Sequence, residues 1–186
     1  MREKVNRSLP CAFRTDESDG KKIIEGYFAV YNEVYDMGWG VTESIARGAF
    51  DKYLKGDVRI LVNHDTTLVL GRTKADTATL KSDDRGVYVR CEINEDDVDA
   101  MNLYARVKRG DVSQASWGGY IVEETRDVDD KTGNCHYTLT EVEPFEFTVC
   151  TFPAYETTEV GARSQNGRTG YERWKKEMEE RFKKWH

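Results

Sequence analysis

Apolar residues in this chain come in short runs, each closed within about ten residues by Gly, Asp, Asn or Ser, a pattern that favours strands over long helices. Lys22 to Asn32 (KIIEGYFAVYN) sets Ile24, Phe28 and Val30 towards one face. Val58 to His64 (VRILVNH) is nearly continuously apolar, and Leu68 to Arg72 continues extended after a turn at Asp65-Thr66-Thr67. Ala75 to Leu80 and Gly86 to Ile93 flank the turn residues Ser82 to Gly86. Ser116 to Thr125 and His136 to Glu143 read as a long hairpin with its tip at Asp129 to Asn134. Phe145 to Thr151 (FEFTVCT) is a further strand.

Two segments read as helices. Glu43 to Lys55 is followed by Gly56, a C-cap signal. Asn94 to Arg109 places Glu95, Asp96 and Asp97 first and Arg106, Lys108 and Arg109 last, as the helix dipole prefers, and Gly110 follows. The expected class is therefore mainly β with flanking helices (α+β), about seven strands forming a closed or bent β-barrel.

At 186 residues the chain has room for one domain with its own core. Residues 1–160 are expected to form that domain. Residues 161–170 (GARSQNGRTG) hold no large apolar side chain and read as a flexible linker. Residues 171–186 read as an amphipathic helix, with Tyr171, Trp174, Met178, Phe182 and Trp185 in a heptad-like stripe. Lys plus Arg number 28 against 34 Asp plus Glu, a net charge of -6, which argues against a nucleic-acid partner or a polybasic membrane surface. No apolar run reaches the ~18 residues of a membrane span, and the first ten residues lack a signal-peptide core, so a soluble intracellular protein is the expectation. Cys11, Cys91, Cys135 and Cys150 form no C-x-x-C pair and are read as reduced packing residues.

Among the three histidines, His186 ends the chain and His136 follows a Gly-Asn turn. His64 closes an apolar strand and shares the side-chain parity of Val58, Ile60 and Val62. It is either a hydrogen-bonded structural residue or a base. Metal-ligand spacings such as H-E-x-x-H are absent from the sequence, and no Gly-rich phosphate loop occurs. Ser113 and Ser116 sit at the start of a strand, where Gly118 and Gly119 let another backbone come close. Glu146 alternates against Phe145, Phe147 and Val149, so it faces either solvent or a groove shared with His64.

In chain order, EGYFAVYN, ESIARGAF, LVNHD with LGRT, VSQASWGGY and EFTVCTFPAY resemble the prohead protease family of tailed bacteriophages, from about Lys22 to Val160. That family is distantly related in fold to the herpesvirus assemblins, so the resemblance implies an assemblin-like barrel. It implies a serine endopeptidase with His64 as general base, Ser116 as nucleophile and Glu146 as the acidic member. The serine motif here, Ser116-Trp117-Gly118-Gly119-Tyr120, carries a second glycine relative to the family's Ser-Phe-Gly-Phe, and Ser113 is the alternative nucleophile. Phe147-Thr148-Val149 stands where the family has Val-Ser-Leu. The implied substrates are the scaffolding segment of the major capsid protein and the protease itself, cut inside an assembling prohead in the bacterial cytoplasm. A homodimer is implied, without cofactor or metal. Two other readings keep some of these residues: a non-catalytic β-barrel assembly or scaffold module, and a metal-dependent hydrolase using His64, Asp65 and hairpin-tip acids.

Overall fold

The structure, a computed structural model, describes residues 3–10, 13–18 and 20–151. The expected linker and C-terminal helix, together with Cys11 and His186, lie outside these residues. The described chain runs β1 (Glu3–Pro10), β2 (Arg14–Ser18), β3 (Lys21–Val30), β4 (Tyr35–Gly38), β5 (Val41–Ile45), β6 (Arg59–Val62), β7 (Asp65–Arg72), β8 (Ala78–Ser82), β9 (Gly86–Ile93), α1 (Val98–Arg109), β10 (Gln114–Val128) and β11 (Cys135–Cys150).

Two sheets result. One has four strands in the order β2-β3-β9-β8. The other has seven and is organised by β11, whose 16 residues pair with β10 along one edge. On its opposite edge, Cys135–Leu139 pairs with β5 and Glu146–Val149 with β6, both parallel. This edge therefore forks, with β4 beyond β5 and β7 beyond β6. The edges of the two sheets do not pair with each other, so a closed barrel is not found among the described residues and the mainly β expectation holds without it.

The sheets meet through aromatic rings. Phe28 of β3 approaches Phe147 of β11 edge-on at 6.3 Å, and Phe50 lies against both Phe147 and Trp117 of β10, at 6.0 and 5.1 Å. All four rings are fully buried. Phe50 comes from the segment expected to be helical. There Gly48 adopts φ +79°, a left-handed conformation that no right-handed helix interior contains. Residues 41–45 are instead drawn into a strand beside β11, and 46–56 form successive turns closed by Ala49 N→Ala46 O, Asp51 N→Gly48 O and Tyr53 N→Phe50 O. Val142 N→Ala49 O and Ala46 N→Leu139 O fasten those turns to β11.

One α-helix is present among the described residues, besides a single 3-10 turn at Thr73–Ala75, and it is shorter at its start than the sequence suggested. Asp97 is the N-cap, accepting from the backbone N–H groups of Asp99 and Ala100 at 2.9 and 3.2 Å. Gly110, at φ 89°, closes the other end. The N-terminal segment, left unassigned by its polar composition, supplies β1 and β2. β1 runs antiparallel to β10, and its Arg7 forms a buried bidentate ion pair with Glu43 of β5, one bond being Nη2→Oε2 at 2.7 Å. Glu43→Ala strips the buried guanidinium of its carboxylate, and the expected loss is about 3–5 kcal/mol in urea unfolding.

Burial also sets the thiol chemistry. Cys91, Cys135 and Cys150 are buried, and desolvation pushes the Cys91 thiol up to about 12. Native protein should leave Cys91 unmodified by iodoacetamide at pH 8, whereas chain unfolded in urea should be alkylated there, as read by peptide mass mapping.

Candidate active site

The N-H-D box is a hairpin turn. Val62 pairs with Asp65 across β6 and β7, and the two residues between, Asn63 and His64, have φ 51° and 60°. Positive φ at both central positions is the requirement of a type I′ turn, and Asn and His are among the non-glycine residues that tolerate it best. The turn is held against β11. Asn63 N donates to Val149 O at 3.0 Å, Thr151 N donates to Asn63 Oδ1 at 2.9 Å, and His64 N donates to Thr148 Oγ1 at 3.1 Å. Asp65 is spent on the turn itself, its Oδ1 accepting from the backbone and hydroxyl of Thr67. The Thr67 hydroxyl bond, ahead of the backbone one, holds the Asp65 carboxyl below its ordinary range.

The turn reverses the expectation for His64. In a continuing strand its ring would share the core-facing side of Ile60 and Val62. With positive φ it swings to the opposite face, where its Nδ1 meets Glu146 Oε1 at 2.8 Å. Glu146 is only 4% exposed, so the solvent-facing alternative for it is removed. Its cross-strand neighbour on β6 is Arg59, which directs its guanidinium to Asp57 instead, Nη2 to Oδ2 at 3.3 Å. Arg72 grips the same Asp57 at 2.6 and 2.5 Å and holds that carboxyl down at about 2. The carboxylate of Glu146 is left to the imidazole.

β10 supplies the serine. Ser116 lies opposite Thr148 and Gly118 opposite Glu146, so Ser116, Thr148 and Glu146 share one face while Trp117 and Phe147 share the core face. Gly118 projects no side chain over the carboxylate beside it. Gly119 stands at a bulge opposite Pro144, where a Cβ would meet Glu143 O at 2.9 Å. The second glycine of the serine motif is thus required by close packing, and the bulge absorbs Pro144, which cannot donate to a ladder.

The structure brings His64 and Glu146 into hydrogen-bond contact and sets Ser116 on their face, one cross-strand pair away. The Ser116 hydroxyl donates to the Arg7 carbonyl at 2.7 Å. His64 Nε2 is buried and without a hydrogen-bond partner among the described residues, as is Glu146 Oε2. Ser113 is exposed in the loop before β10. Among the described residues, no group of three or more His, Cys, Asp or Glu side chains is placed to hold a metal ion. His136 is not a bare surface residue: its ring nitrogens each meet a hydroxyl, Thr42 Oγ1 and Ser44 Oγ, at 2.8 Å.

Residues 10–172 match the family described as caudovirus prohead serine protease. The chain belongs to that family. It is 30% identical over 149 residues to the prohead protease of Enterobacteria phage HK97, a match covering 77% of this chain. This prohead protease family member spans 61% of the length of that relative. A solved structure, the capsid assembly protease of bacteriophage T4, aligns with a TM-score of 0.48 at 14% identity, over 76% of this chain and 96% of that one.

Thr148, Asn63 and Arg7 were not singled out by sequence reasoning. For Thr148 a signal existed: it lies two residues after Glu146 and so shares its face. The contacts of Asn63 and Arg7 join segments 88 and 109 residues apart, which local pattern does not register.

Proposed function

We propose that the chain is a serine endopeptidase of prohead maturation, with Ser116 as nucleophile, His64 as general base and Glu146 as the residue that orients the base. The observation that carries this is the 2.8 Å bond from His64 Nδ1 to Glu146 Oε1 beside an unpartnered Nε2. A carboxylate on Nδ1 selects the tautomer with its proton there and leaves the Nε2 lone pair to take a proton.

The reaction follows from that arrangement. Rotation about the Cα–Cβ bond of Ser116 moves its hydroxyl from the Arg7 carbonyl towards His64 Nε2. Oγ then attacks the scissile carbonyl carbon while His64 takes its proton. Glu146, buried against the ring, stabilises the imidazolium that forms. His64 next donates that proton to the leaving amine, and a water attacks the acyl-enzyme by the same route. Backbone N–H donors must hold the oxyanion, each worth about 3 kcal/mol when removed.

Membership of the family, together with a relative named as a prohead protease, supports the scaffolding segment of the major capsid protein as substrate. It also supports action inside the assembling prohead. Self-cleavage is part of the proposal, within residues 161–170, a small-residue polar stretch of the kind proteases enter readily. After concentration, active protein should lose a C-terminal piece by intact mass while Ser116→Ala protein stays whole. Intact chains in both, under conditions where the active form cuts capsid protein, would remove self-cleavage from the account.

The bond from Ser116 to the Arg7 carbonyl favours a second reading, a non-catalytic assembly module with a structural serine. The test is co-expression with capsid protein bearing its scaffolding segment. Processing by wild-type chain, blocked by a serine-reactive phosphonate and indifferent to chelator, supports the protease. Binding without cleavage supports the assembly module, and loss of cleavage with chelator alone supports a metal-dependent hydrolase.

A further inference from the structure

We propose that Thr148 is a positioning residue for His64, holding the base in its left-handed turn through the bond from His64 N to Thr148 Oγ1; the inference rests on the serine hydrolase reading. Thr148 is fully buried, and its hydroxyl accepts the 3.1 Å bond from the His64 amide. It sits between the other members of the site: Glu146 precedes it by two residues on the same face, and Ser116 lies directly opposite on β10. One side chain thus ties the base's backbone to the strand that carries the acid and to the register that carries the serine.

The need for such a tie is conformational. His64 at φ 60° occupies a region that costs an ordinary residue energy, and such conformations persist where surrounding bonds over-determine them. Three bonds do so here, from His64 N, from Asn63 N and to Asn63 Oδ1. Only the first acts on the backbone of His64 itself, whose ring is held separately by Glu146. Without it, the turn is free to relax towards negative φ, which returns the ring to the core-facing parity of Val62 and away from Glu146. Valine matches threonine in shape but leaves the His64 N–H buried with no acceptor. Serine keeps the acceptor.

The test needs no natural substrate. An alkyl fluorophosphonate labels the nucleophile, and its inactivation rate separates into a maximal rate and a half-saturation concentration. Thr148→Val should lower the maximal rate about 10- to 100-fold with little change in half-saturation, because a small misplacement of a catalytic group has that effect. Thr148→Ser should restore the rate to within about threefold, the acceptor being what matters. The downfield proton resonance of the His64–Glu146 bond should be present in wild type and Thr148→Ser, and lost or shifted in Thr148→Val. Thr148→Ala removes the same acceptor with a smaller side chain; it should slow labelling in the same sense and decides the matter where Thr148→Val does not fold. A labelled wild type with Thr148→Val, or failing that Thr148→Ala, at wild-type rate would overturn the positioning role alone. A wild type labelled no faster than Ser116→Ala would overturn the serine hydrolase reading and this role with it.

Discussion

Ser116→Ala should abolish peptide-bond cleavage and leave the fold standing. The expected loss is about 10^4- to 10^6-fold in kcat/KM, since what remains is binding and oxyanion stabilisation without a nucleophile. The stability change is small by comparison. The lost contact is one hydrogen bond to the Arg7 carbonyl, worth about 1 kcal/mol. Urea unfolding of the variant should therefore keep its slope and move its midpoint little. Ser113→Ala, in an exposed loop position, should retain near wild-type activity. A dead Ser113→Ala beside an active Ser116→Ala would transfer the nucleophile to the loop.

His64→Ala should be as inactive as Ser116→Ala, and the double variant no worse than either. Residues that act as one catalytic unit lose their effect together, so their costs do not add. Glu146→Gln should fall short of this, about 10^2- to 10^4-fold, because the ring remains but the carboxylate that selects its tautomer is gone. Multiplying losses in the double variant would show two independent roles.

Much of this site was legible as residue types and parity. Glu146 alternates against three apolar neighbours, which placed it off the core face, and β11 bears that out. Gly86 to Ile93 is bounded by clear turn residues and forms β9 with those same ends. Legibility failed where distant segments decide. Glu43 to Lys55 has helical spacing, but pairing of Val41–Ile45 with β11 and the left-handed Gly48 override it. His136 to Glu143 and Phe145 to Thr151 read as two strands, whereas the bulge opposite Gly119 lets a single strand, Cys135–Cys150, pass through Pro144. His64 was assigned the parity of its strand because nothing local announces that the strand ends at Val62 and turns back through two residues of positive φ. That reversal is what carries the ring from the core side to Glu146. The polar N-terminus shows no apolar alternation, yet β1 takes its place beside β10 through ladder bonds and the Arg7–Glu43 pair, neither of which leaves a periodic trace.

The central claim is that Ser116 is a nucleophile activated by His64. Peptide mass mapping after treatment with a fluorophosphonate tests it most directly. The account predicts a single phosphonyl adduct on the peptide bearing Ser116 in wild type, and none in His64→Ala protein with the same unfolding midpoint. An adduct on Ser113, or an unmodified Ser116 in protein that still cleaves its substrate, would contradict it.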